Sequence, residues 1–594
     1  MTDPGDYDQQ PASGPGRWIP GLELVRRYRR QWLFRDVLAG LALTALLVPQ
    51  GMAYAELAGL PAVTGLYTSV LALLAYAVFG PSRIMVIGPD SALGPMIAAA
   101  ILPLVAANGD PQRAIALASI LALLMGAYCI VAGIVRVGTL AELFSRPMRI
   151  GYLNGLAIVV LVSQLPKLFG FSTTANGLRA ECHAFVVGVS DGKMVPASLA
   201  IGLASLVTIL AVHFWLPKAP SVFLAVVGAT VLVSAFDLSA HGVAVLGAIP
   251  SGIPKPSIPR VGLHDMGTLA LAALGMAFVT LADTSALSRS LAAKRGADVN
   301  QNQELVALGT ANLSAGLFQG FPVSASAGRT VTAESSGSIT QMTGVIGALC
   351  ILVLLSFTND LLHNLPNSAL AAIVVAAAVG LLDLATLRWL WKVRKSEFLL
   401  SLTALLGVAI FGVLPGIAIA VALSVGDFVR QAWRPHTAIL GRIPDRKGYH
   451  DIERHPEAAQ IPGLVIYRFD APMFFANADF FSDGVKKAIS VRQEPIMWIV
   501  LAAEPITDID TSAAETLDRL LDDLEAESVQ LVMAELKGPV KDRLRSYGLY
   551  ERLGDERFFA TVGSAVSSYV HASGVEWVDW SDQEPDDGRD SHPE

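Results

Sequence analysis

The chain has 594 residues, of which 53% are hydrophobic and only 16% are charged. Soluble domains carry about 25% charged residues, so this composition indicates a membrane protein. The net charge of -8 and the lack of a basic face in the sequence argue against nucleic acid as a partner. The three cysteines show no metal-ligand or disulfide spacing, so we expect no metal and no cofactor.

Residues 1–32 are interpreted as a cytoplasmic tail. Residues 1–16 are polar and rich in Pro and Gly, a composition typical of disorder. A basic stretch at residues 26–30 precedes Trp32, Leu33 and Phe34. This pattern favours an interfacial helix over a signal peptide, because no cleavage site follows.

Residues 33–434 are predicted to form a transmembrane domain. A span needs about 20 apolar residues, and about fourteen segments approach that length. Lys and Arg concentrate in the loops after even-numbered segments, for example at Arg149 and Arg289. The positive-inside rule then predicts a multi-pass protein of the cell membrane with both termini in the cytoplasm. The predicted segments are residues 37–57, 63–79, 84–105, 114–135, 150–168, 197–216, 221–235, 269–287, 305–318, 323–335, 342–357, 369–382, 398–413 and 416–428.

Two of these segments, the third and the tenth, are interrupted by Gly and Pro and contain a charge. The interruptions are residues 86–96 and 320–330. Hydrocarbon offers no partners to freed backbone groups, so such breaks must face protein or a water-filled cavity. They occupy equivalent positions in two halves of about seven elements, and an odd number per half makes the halves inverted. The breaks therefore predict half-helices that meet at the membrane midplane and form a substrate site.

The residue types in the breaks suit an anion. Half-helix N-termini offer unpaired N–H groups and a partial positive charge. The serines can add hydroxyl donors, Gly328 permits close approach, and Arg329 supplies a permanent charge. Asp90 has two equally weighted roles, as a cap of its helix or as an acid of the site. The candidate substrate-binding residues of the breaks are Asp90, Ser91, Ala92, Ser326, Ala327, Gly328 and Arg329.

Two further intramembrane acids, Asp283 and Glu56, are predicted to take part in proton coupling. Acids inside a membrane are costly and by default functional, and burial favours the neutral form of a carboxyl group, which carries a proton. Asp283 is the leading candidate, and the alternative is an ion pair with an arginine that only holds the helices together. Glu56 ranks lower, because its position is compatible with the pocket, the neighbouring domain or the outer water.

Residues 435–575 are predicted to form a small cytoplasmic α/β domain, followed by an acidic, disordered tail at residues 576–594. Short apolar strands at residues 463–469, 498–501 and 530–534 alternate with helical stretches. Ser512 stands at the predicted start of one of these helices. Its hydroxyl is interpreted as a helix cap, with phosphorylation as the less favoured alternative.

Several motifs occur in the order of a known family. Residues 48–61 read Val-Pro-Gln-Gly-Met-Ala-Tyr-Ala-Glu-Leu-Ala-Gly-Leu-Pro, and residues 65–69 read Gly-Leu-Tyr-Thr-Ser. With the two breaks, this order closely resembles the SulP sulfate permease family, also called solute carrier family 26. Residues 472–478 and 508–513 resemble the STAS domain that ends many members. The resemblance covers roughly residues 33–571.

The resemblance implies an α-helical membrane protein with about fourteen transmembrane elements in two inverted repeats, divided into a core and a gate domain, and a cytoplasmic STAS domain. It implies anion transport, usually in dimers, by elevator-like movement of the core. It also places Gln50 and Tyr54 in the pocket, where helix packing is the alternative role. Some sodium-coupled members carry a hydroxyl residue at the position of Leu287, so this chain favours proton over sodium coupling.

The sequence thus predicts a secondary active transporter without enzyme activity, which carries small inorganic anions, by default sulfate, together with protons. The expected partners are the anion, the proton, the lipid bilayer, a second copy in a homodimer and a cytoplasmic partner of the STAS domain. Transport of bicarbonate or a dicarboxylate, sodium coupling, anion exchange and channel-like conduction stay open. A membrane sensor with a STAS output domain is the alternative of another class, but a sensor has no need of two midplane helix starts.

Overall fold

The computed structural model describes residues 19–105, 109–138, 145–173, 175, 177–216, 219–295, 299–357, 362–443, 446–492 and 494–577. The predicted disorder at residues 1–16 and most of the predicted acidic tail, from residue 578 onward, lie outside the described residues. The chain divides into two compact units, Met1–Ser424 and Val425–Glu594.

Helices build the first unit, and each predicted transmembrane segment overlaps one of them, the last of which ends at Trp433, past the division at Ser424. Among the described residues, seven helices are long and apolar enough to cross a membrane, and shorter apolar helices accompany them. These helices identify a multi-pass membrane protein. The helices are α1 (Pro20–Arg27), α2 (Arg30–Leu57), α3 (Val63–Phe79), α4 (Leu93–Ile101), α5 (Pro111–Val135), α6 (Arg146–Leu168), α7 (Leu178–Ser190), α8 (Pro196–Trp215), α9 (Ser221–Ala235), α10 (Leu263–Arg295), α11 (Gln301–Leu317), α12 (Ala327–Ser335), α13 (Met342–Phe357), α14 (Asn367–Leu381), α15 (Leu384–Val393), α16 (Lys395–Phe411) and α17 (Val413–Trp433).

Contacts between these helices reveal an internal repeat, with α2–α6, α8 and α9 in the first half and α10–α14, α16 and α17 in the second. Helix α2 packs against α13 as α10 packs against α5, and α3 packs against α13 as α11 packs against α5. Likewise, α6 packs against α16 as α14 packs against α8. Exchange of the two halves turns each of these contacts into its counterpart, in agreement with the predicted fold of two repeats.

The helices of each half separate into two groups. Helices α2–α5 and α10–α13 pack mainly with one another and form the core group, whereas α6, α8, α9, α14, α16 and α17 form the gate group. Glycines permit close crossings in both. A Cβ on Gly126 of α5 would lie 2.8 Å from the Gly309 carbonyl oxygen of α11. A Cβ on Gly155 of α6 would lie 2.7 Å from the Leu405 carbonyl oxygen of α16. Small residues allow such packing in membranes, where burial from water contributes little between helices.

Each predicted break contains a short strand followed by a short helix. Strands β1 (Ile87–Gly88) and β2 (Ser324–Ala325) pair antiparallel, with Ile87 opposite Ala325. Helices α4 and α12 begin shortly after these strands. The pairing satisfies backbone groups that the breaks free, which lipid could not do. Both half-helices therefore start from one shared piece of sheet.

The second unit is an α/β domain, as predicted. Its elements are β3 (Thr437–Arg442), β4 (Tyr449–Asp451), β5 (Leu464–Phe469), α18 (Ala478–Ser490), β6 (Trp498–Ala502), α19 (Thr511–Ala526), β7 (Gln530–Ala534), α20 (Gly538–Ser546), α21 (Leu549–Leu553), β8 (Phe558–Phe559) and α22 (Val562–Ser573). The sheet order is β4-β3-β5-β6-β7-β8, parallel from β5 to β8 and antiparallel around β3. Along β6, Ile499 and Leu501 face one apolar core and Val500 and Ala502 face the other, so both faces are covered.

The cap of α19 differs from the prediction. Asp510 is its N-cap, with Oδ1 accepting a hydrogen bond from the Ala513 N–H at 2.8 Å. Its Oδ2 accepts from the Phe475 N–H, also at 2.8 Å. Ser512 lies in the first turn and is exposed. The prediction that Ser512 caps this helix is wrong, because the nearby acid already takes the N–H group; phosphorylation of Ser512 stays a prediction.

Candidate anion site

Hydrogen bonds between the two breaks tie the starts of the half-helices together. The Ser326 N–H donates to the Val86 carbonyl oxygen at 3.0 Å. The Val86 N–H donates to Thr330 Oγ1 at 3.0 Å, and the Thr330 hydroxyl donates to the Ser326 carbonyl oxygen at 2.7 Å. The breaks therefore act as one unit, and a shift of one half-helix strains the other.

A second set of contacts holds the approach to α12. Asn312 of α11 is fully buried and brackets Val323, accepting from its N–H at 2.9 Å and donating to its carbonyl oxygen at 3.2 Å. Thr68 of α3 accepts from the Phe321 N–H at 3.2 Å. Sequence reasoning missed Asn312, Thr68 and Thr330 as positioning residues. The signal that could have found them is a polar side chain inside an otherwise apolar helix, which must find a partner.

Arg329 lies at the junction of the half-helices, and only 1% of it is exposed. Its Nη1 donates to the Pro89 carbonyl oxygen of the opposite break. Its Nε and Nη2 have no hydrogen-bond partner among the described residues. A buried charge without partners is strongly unfavourable, so these donors call for an acceptor from outside the protein. An anion between the half-helices would be such an acceptor.

A side chain of each break accepts a backbone N–H at the start of its half-helix, although only α12 has a side-chain N-cap. Asp90 Oδ2 accepts from the Ala92 N–H at 3.0 Å at the start of α4. Ser326 is the N-cap of α12 and accepts from the Arg329 N–H at 3.5 Å. Asp90 also attracts the Arg329 guanidinium electrostatically, although the described part of the chain contains no direct ion pair between them. The geometry is therefore compatible with both roles that the sequence left open for Asp90.

Helix α2 forms a wall of the site. Tyr54 is 5% exposed, and its hydroxyl interacts with the Ser91 side chain. The charges of Asp90 and Arg329 also act on this tyrosine. Gln50 lies one turn before Tyr54 on the same face of the helix and is partly exposed. The structure thus brings Tyr54 to the junction and leaves Gln50 one helical turn away on the same face.

The two helix starts differ in access. Ala327 and Gly328, in the first turn of α12, are exposed, and a Cβ on Gly328 would meet nothing within 4 Å. Ala92, at the start of α4, is buried, and Ser91 is only partly exposed. N–H groups of a first helical turn have no partner within the helix. Open space at the start of α12 therefore gives an anion a route to such groups.

Asp283 lies on α10 and contacts the gate group. Its Oδ2 accepts from the Tyr152 hydroxyl of α6 at 3.1 Å. Arg149 and Asp90 both act on Asp283 electrostatically, which places it within the field of the junction. The described residues contain no direct ion pair between Asp283 and Arg149. The alternative role of Asp283, a structural ion pair with an arginine, is therefore present only as a longer-range attraction to Arg149. Its role in proton coupling stays a prediction.

Glu56 is not brought to the junction. It lies near the end of α2, where its Oε2 is 3.4 Å from Lys167 Nζ of α6. It lines a separate cavity of about 500 Å³, whose wall also includes Tyr67, Gln112 and Gln319. Glu56 thus links the core group to the gate group by an ion pair, and its predicted part in proton coupling stays a prediction.

An acid of the first repeat holds the far end of α12. Asp36, near the start of α2, is fully buried. It accepts from the Ile339 N–H at 2.9 Å and the Thr340 hydroxyl at 2.7 Å, both between α12 and α13, and from the Thr343 hydroxyl of α13 at 3.1 Å. The Tyr28 hydroxyl also donates to it, at 3.1 Å. These contacts, which we name the Asp36 clamp, fix the connection from α12 to α13 against the opposite repeat.

An acid of the second repeat has the matching role at α4. Asp265, near the start of α10, pairs with Arg113 of α5 at 3.0 Å between Oδ2 and Nη2. Arg113 Nε donates to the Leu104 carbonyl oxygen, just beyond α4, at 2.9 Å. We name this contact the Asp265 clamp. Both clamps were missed from sequence, since neither acid has a neighbour along the chain that reveals its partner.

Glu304 is a further buried acid that sequence reasoning missed. It lies on α11 and accepts from the Tyr76 hydroxyl at 2.8 Å and from the Ser82 hydroxyl. These donors satisfy the carboxyl group and join α11 to α3. An acid next to a predicted apolar segment was the available signal, but the sequence placed it at the segment edge, where a charge reaches water.

Comparisons with known proteins agree on one family. The sequence profile of the sulfate permease family matches residues 33–404, and that of the STAS domain matches residues 455–565. A probable sulfate transporter of Mycobacterium tuberculosis, strain H37Rv, is 41% identical over 559 residues, which cover 94% of this chain and 99% of the relative. The chloroplastic sulfate transporter 4.1 of Arabidopsis thaliana is 30% identical over 583 residues, which cover 94% of this chain and 84% of the plant protein.

Solved structures share the fold. The murine solute carrier 26 family member A9 anion transporter in its inward-facing state has a TM-score of 0.86 at 22% identity and covers 96% of this chain and 97% of its own. The transmembrane domain of the cyanobacterial bicarbonate transporter BicA has a TM-score of 0.59 at 23% identity and covers 66% of this chain and 98% of its own. The family profile matches more than half of the sequence, and the chain therefore belongs to the sulfate permease family.

Proposed function

We propose that this chain is a secondary active transporter of small inorganic anions, with sulfate as its main substrate. The observation that carries the proposal is the buried Arg329 guanidinium, whose Nε and Nη2 lack partners where the half-helix N-termini meet. A bound anion would accept hydrogen bonds from these donors and from N–H groups of the first turn of α12. The bacterial and plant relatives, described as sulfate transporters, support sulfate over other anions.

The chemistry of the site suits a carrier. Backbone N–H groups and hydroxyls are neutral donors, which bind an anion firmly enough to select it and weakly enough to release it. Sulfate carries two negative charges, and Arg329 neutralises one of them. Asp90 and Asp283 both act electrostatically near the junction, so their ionised forms oppose a dianion. A proton that enters with sulfate removes part of this repulsion, and that is the physical basis of the proposed coupling.

Asp283 is the proposed proton carrier. Its bond from Tyr152 joins the core group to the gate group. When Asp283 takes up a proton it loses its charge, and a charge-assisted hydrogen bond becomes a weaker neutral one. The core group, which holds the site, then moves more freely against the gate group. This step fits an elevator-like alternating access, in which the core group moves against the gate group. The proposed transporter has both termini in the cytoplasm and works as a homodimer.

Uptake of labelled sulfate into proteoliposomes, with and without an inward proton gradient, tests the proposal. We expect the gradient to accelerate uptake, Arg329→Gln to abolish uptake, and Asp283→Asn to transport without responding to the gradient. Arg454→Gln, which removes an exposed charge from the second unit, is the matched control. Failure of the folded protein to take up sulfate, bicarbonate or fumarate would reject transport. Uptake that ignores the gradient in the unmodified protein would reject proton coupling alone.

One observation favours sodium as an alternative coupling ion. The hydroxyls of Thr280 and Thr284, which flank Asp283 on α10, are buried without a hydrogen-bond partner among the described residues. Hydroxyl and carboxylate oxygens are ligands that suit a hard cation. The apolar Leu287 one turn further along α10 weakens this alternative. Sodium would be favoured over the proton if a sodium gradient drove sulfate uptake at equal pH on both sides. The double variant Thr280→Val/Thr284→Val should then abolish this sodium-driven uptake.

A further inference from the structure

Helix α15 (Leu384–Val393) connects two apolar helices of the gate group, α14 and α16, and turns an uncommon surface outward. Trp389 and Trp391 are 55% and 53% exposed. Arg388 and Lys392 are exposed as well. Leu390 is the one buried residue of this helix. Large aromatic residues next to cations on an exposed face are unusual unless something covers them.

The orientation of α15 is fixed by contacts at both of its ends. Asp383 is the N-cap, and its Oδ1 accepts from the Thr386 N–H at 2.9 Å. The Asp383 N–H donates to Asn154 Oδ1 of α6 at 3.0 Å. At the other end, the Trp391 ring meets the Phe398 ring of α16 edge to face at 4.8 Å. The outward surface is therefore a rigid part of the gate group.

The helical period sorts the residues of α15 into faces. Arg388 and Lys392 are one turn apart and share the face opposite the buried Leu390, with Trp389 and Trp391 on either side. Neither Arg388 nor Lys392 has an ion-pair partner within the part of the chain that the structure describes. These cations are therefore available to a partner outside the chain.

The N-terminal helix α1 shows the contrasting case. It is also basic and amphipathic, but Arg27 pairs with Glu23 at 2.8 Å. Arg29, just after it, lies 5.6 Å from the centre of the Trp32 ring. Arg27 and Arg29 thus contact other side chains of the same chain, whereas Arg388 and Lys392 of α15 are exposed. The comparison makes α15 the stronger candidate for an external anion.

Lys395, the first residue of α16, is exposed just beyond the end of α15. We infer that Arg388, Trp389, Trp391 and Lys392 of α15 together with Lys395, which we name the α15 surface, bind the headgroups of anionic phospholipids in the surrounding membrane. Helix α14 ends at Leu381 and α16 begins at Lys395, so α15 lies where two apolar helices reach the membrane boundary. Trp residues favour that boundary. Cations within reach of an anionic lipid surface strengthen binding by about fivefold each. Bound lipid would hold the gate group in place while the core group moves.

Quenching of tryptophan fluorescence by brominated lipids tests this inference on the full chain. The protein is reconstituted into phosphatidylcholine vesicles that contain a minor fraction of either brominated phosphatidylglycerol or brominated phosphatidylcholine. We expect stronger quenching by the anionic lipid at equal amounts, and loss of the difference in W389F/W391F. The selectivity should fall in high salt, which screens exposed charges.

Charge variants give the decisive comparison. R388Q/K392Q/K395Q should weaken binding of phosphatidylglycerol on the order of 100-fold, since each cation contributes about fivefold. R388K/K392R keeps the charges and should retain the selectivity. R446Q/K447Q/R454Q, which removes exposed cations of the second unit, is the matched control and should change nothing. Equal quenching by both lipids in the unmodified protein, or selectivity that survives the triple glutamine variant of the α15 surface, would overturn the inference.

Discussion

The two half-helices share one backbone plan and differ in charge. Helix α12 brings the buried Arg329 to the junction, and its far end is held by the buried Asp36 clamp. Helix α4 begins after Asp90, and its far end is held by the exposed Asp265 clamp, whose Arg113 and Asp265 side chains are 47% and 16% exposed. The two repeats therefore place an acid at equivalent positions, but one acid is buried and hydrogen-bonded whereas the other forms an exposed ion pair.

The difference in burial predicts a difference in strength. Inside the protein, a carboxylate that accepts several hydrogen bonds is strongly stabilised, and removal of the carboxylate leaves buried donors without partners. At the surface, water and salt screen an ion pair, and its loss costs little. We therefore expect α12 to be the rigid half of the site and α4 the adaptable half.

The largest effect is expected for Asp36→Ala. It leaves the Ile339 N–H and the Thr340 and Thr343 hydroxyls without their acceptor, so the free energy of unfolding should fall by about 3 kcal/mol or more. The apparent unfolding temperature of the purified protein measures it. Asp36→Asn, which keeps one acceptor oxygen, should lose less. A shift no larger than that of Asp265→Ala would contradict the proposed difference between the clamps.

The next effect concerns the junction itself. Arg329→Gln removes charge-assisted donors and should weaken sulfate binding on the order of 100-fold. Asp90→Asn keeps an oxygen that can accept from the Ala92 N–H, so sulfate binding should change by about tenfold or less. Sulfate-dependent thermal stabilisation of the purified variants reports both effects without relying on transport. Equal losses in both variants would show that the two half-helices contribute alike.

A smaller effect is expected at the exposed clamp. Asp265→Asn and Arg113→Gln should each lower the free energy of unfolding by about 1 kcal/mol or less. The loss should shrink further in high salt, because salt screens an exposed pair, whereas the loss from Asp36→Asn should be insensitive to salt. Unfolding temperatures at low and high salt make the comparison. Salt sensitivity at Asp36, with none at Asp265, would reverse the assignment of rigid and adaptable halves.

The smallest effect is expected at Asp470 of the second unit, which lies outside both repeats and therefore serves as a reference. Burial acts to raise the pKa of Asp470, but hydrogen bonds from Arg468 and His436 outweigh it and hold the pKa below its usual range. A carboxyl group with a depressed pKa stabilises the fold above the pKa of the unfolded chain, and this contribution is lost as the pH falls through the folded value. Asp470→Asn should therefore flatten the acid side of the stability profile slightly. An unchanged profile would remove Asp470 as a contributor.

Part of the site could be predicted from sequence because its signals are local. Gly and Pro inside apolar segments announce the breaks, and Arg329 is conspicuous as a charge in such a segment. Ser512 shows the limit of prediction from neighbouring residues. Its hydroxyl at a predicted helix start was interpreted as the cap, but the N-cap in the structure is Asp510. Glu56 shows another limit, because its distance from the junction depends on the path of α2 past α6.

The sequence by itself determined the membrane class, the order of the segments, the positions of both breaks and the α/β character of the second unit. These follow from composition and from periodicity, which neighbouring residues reveal. Only the tertiary structure decided which groups meet. Thr340 reaches Asp36 across 304 positions of the chain, and Tyr152 reaches Asp283 across 131. Such partners come together only when the helices pack, so the unpaired donors of Arg329 become visible only once every neighbour of that side chain has been placed.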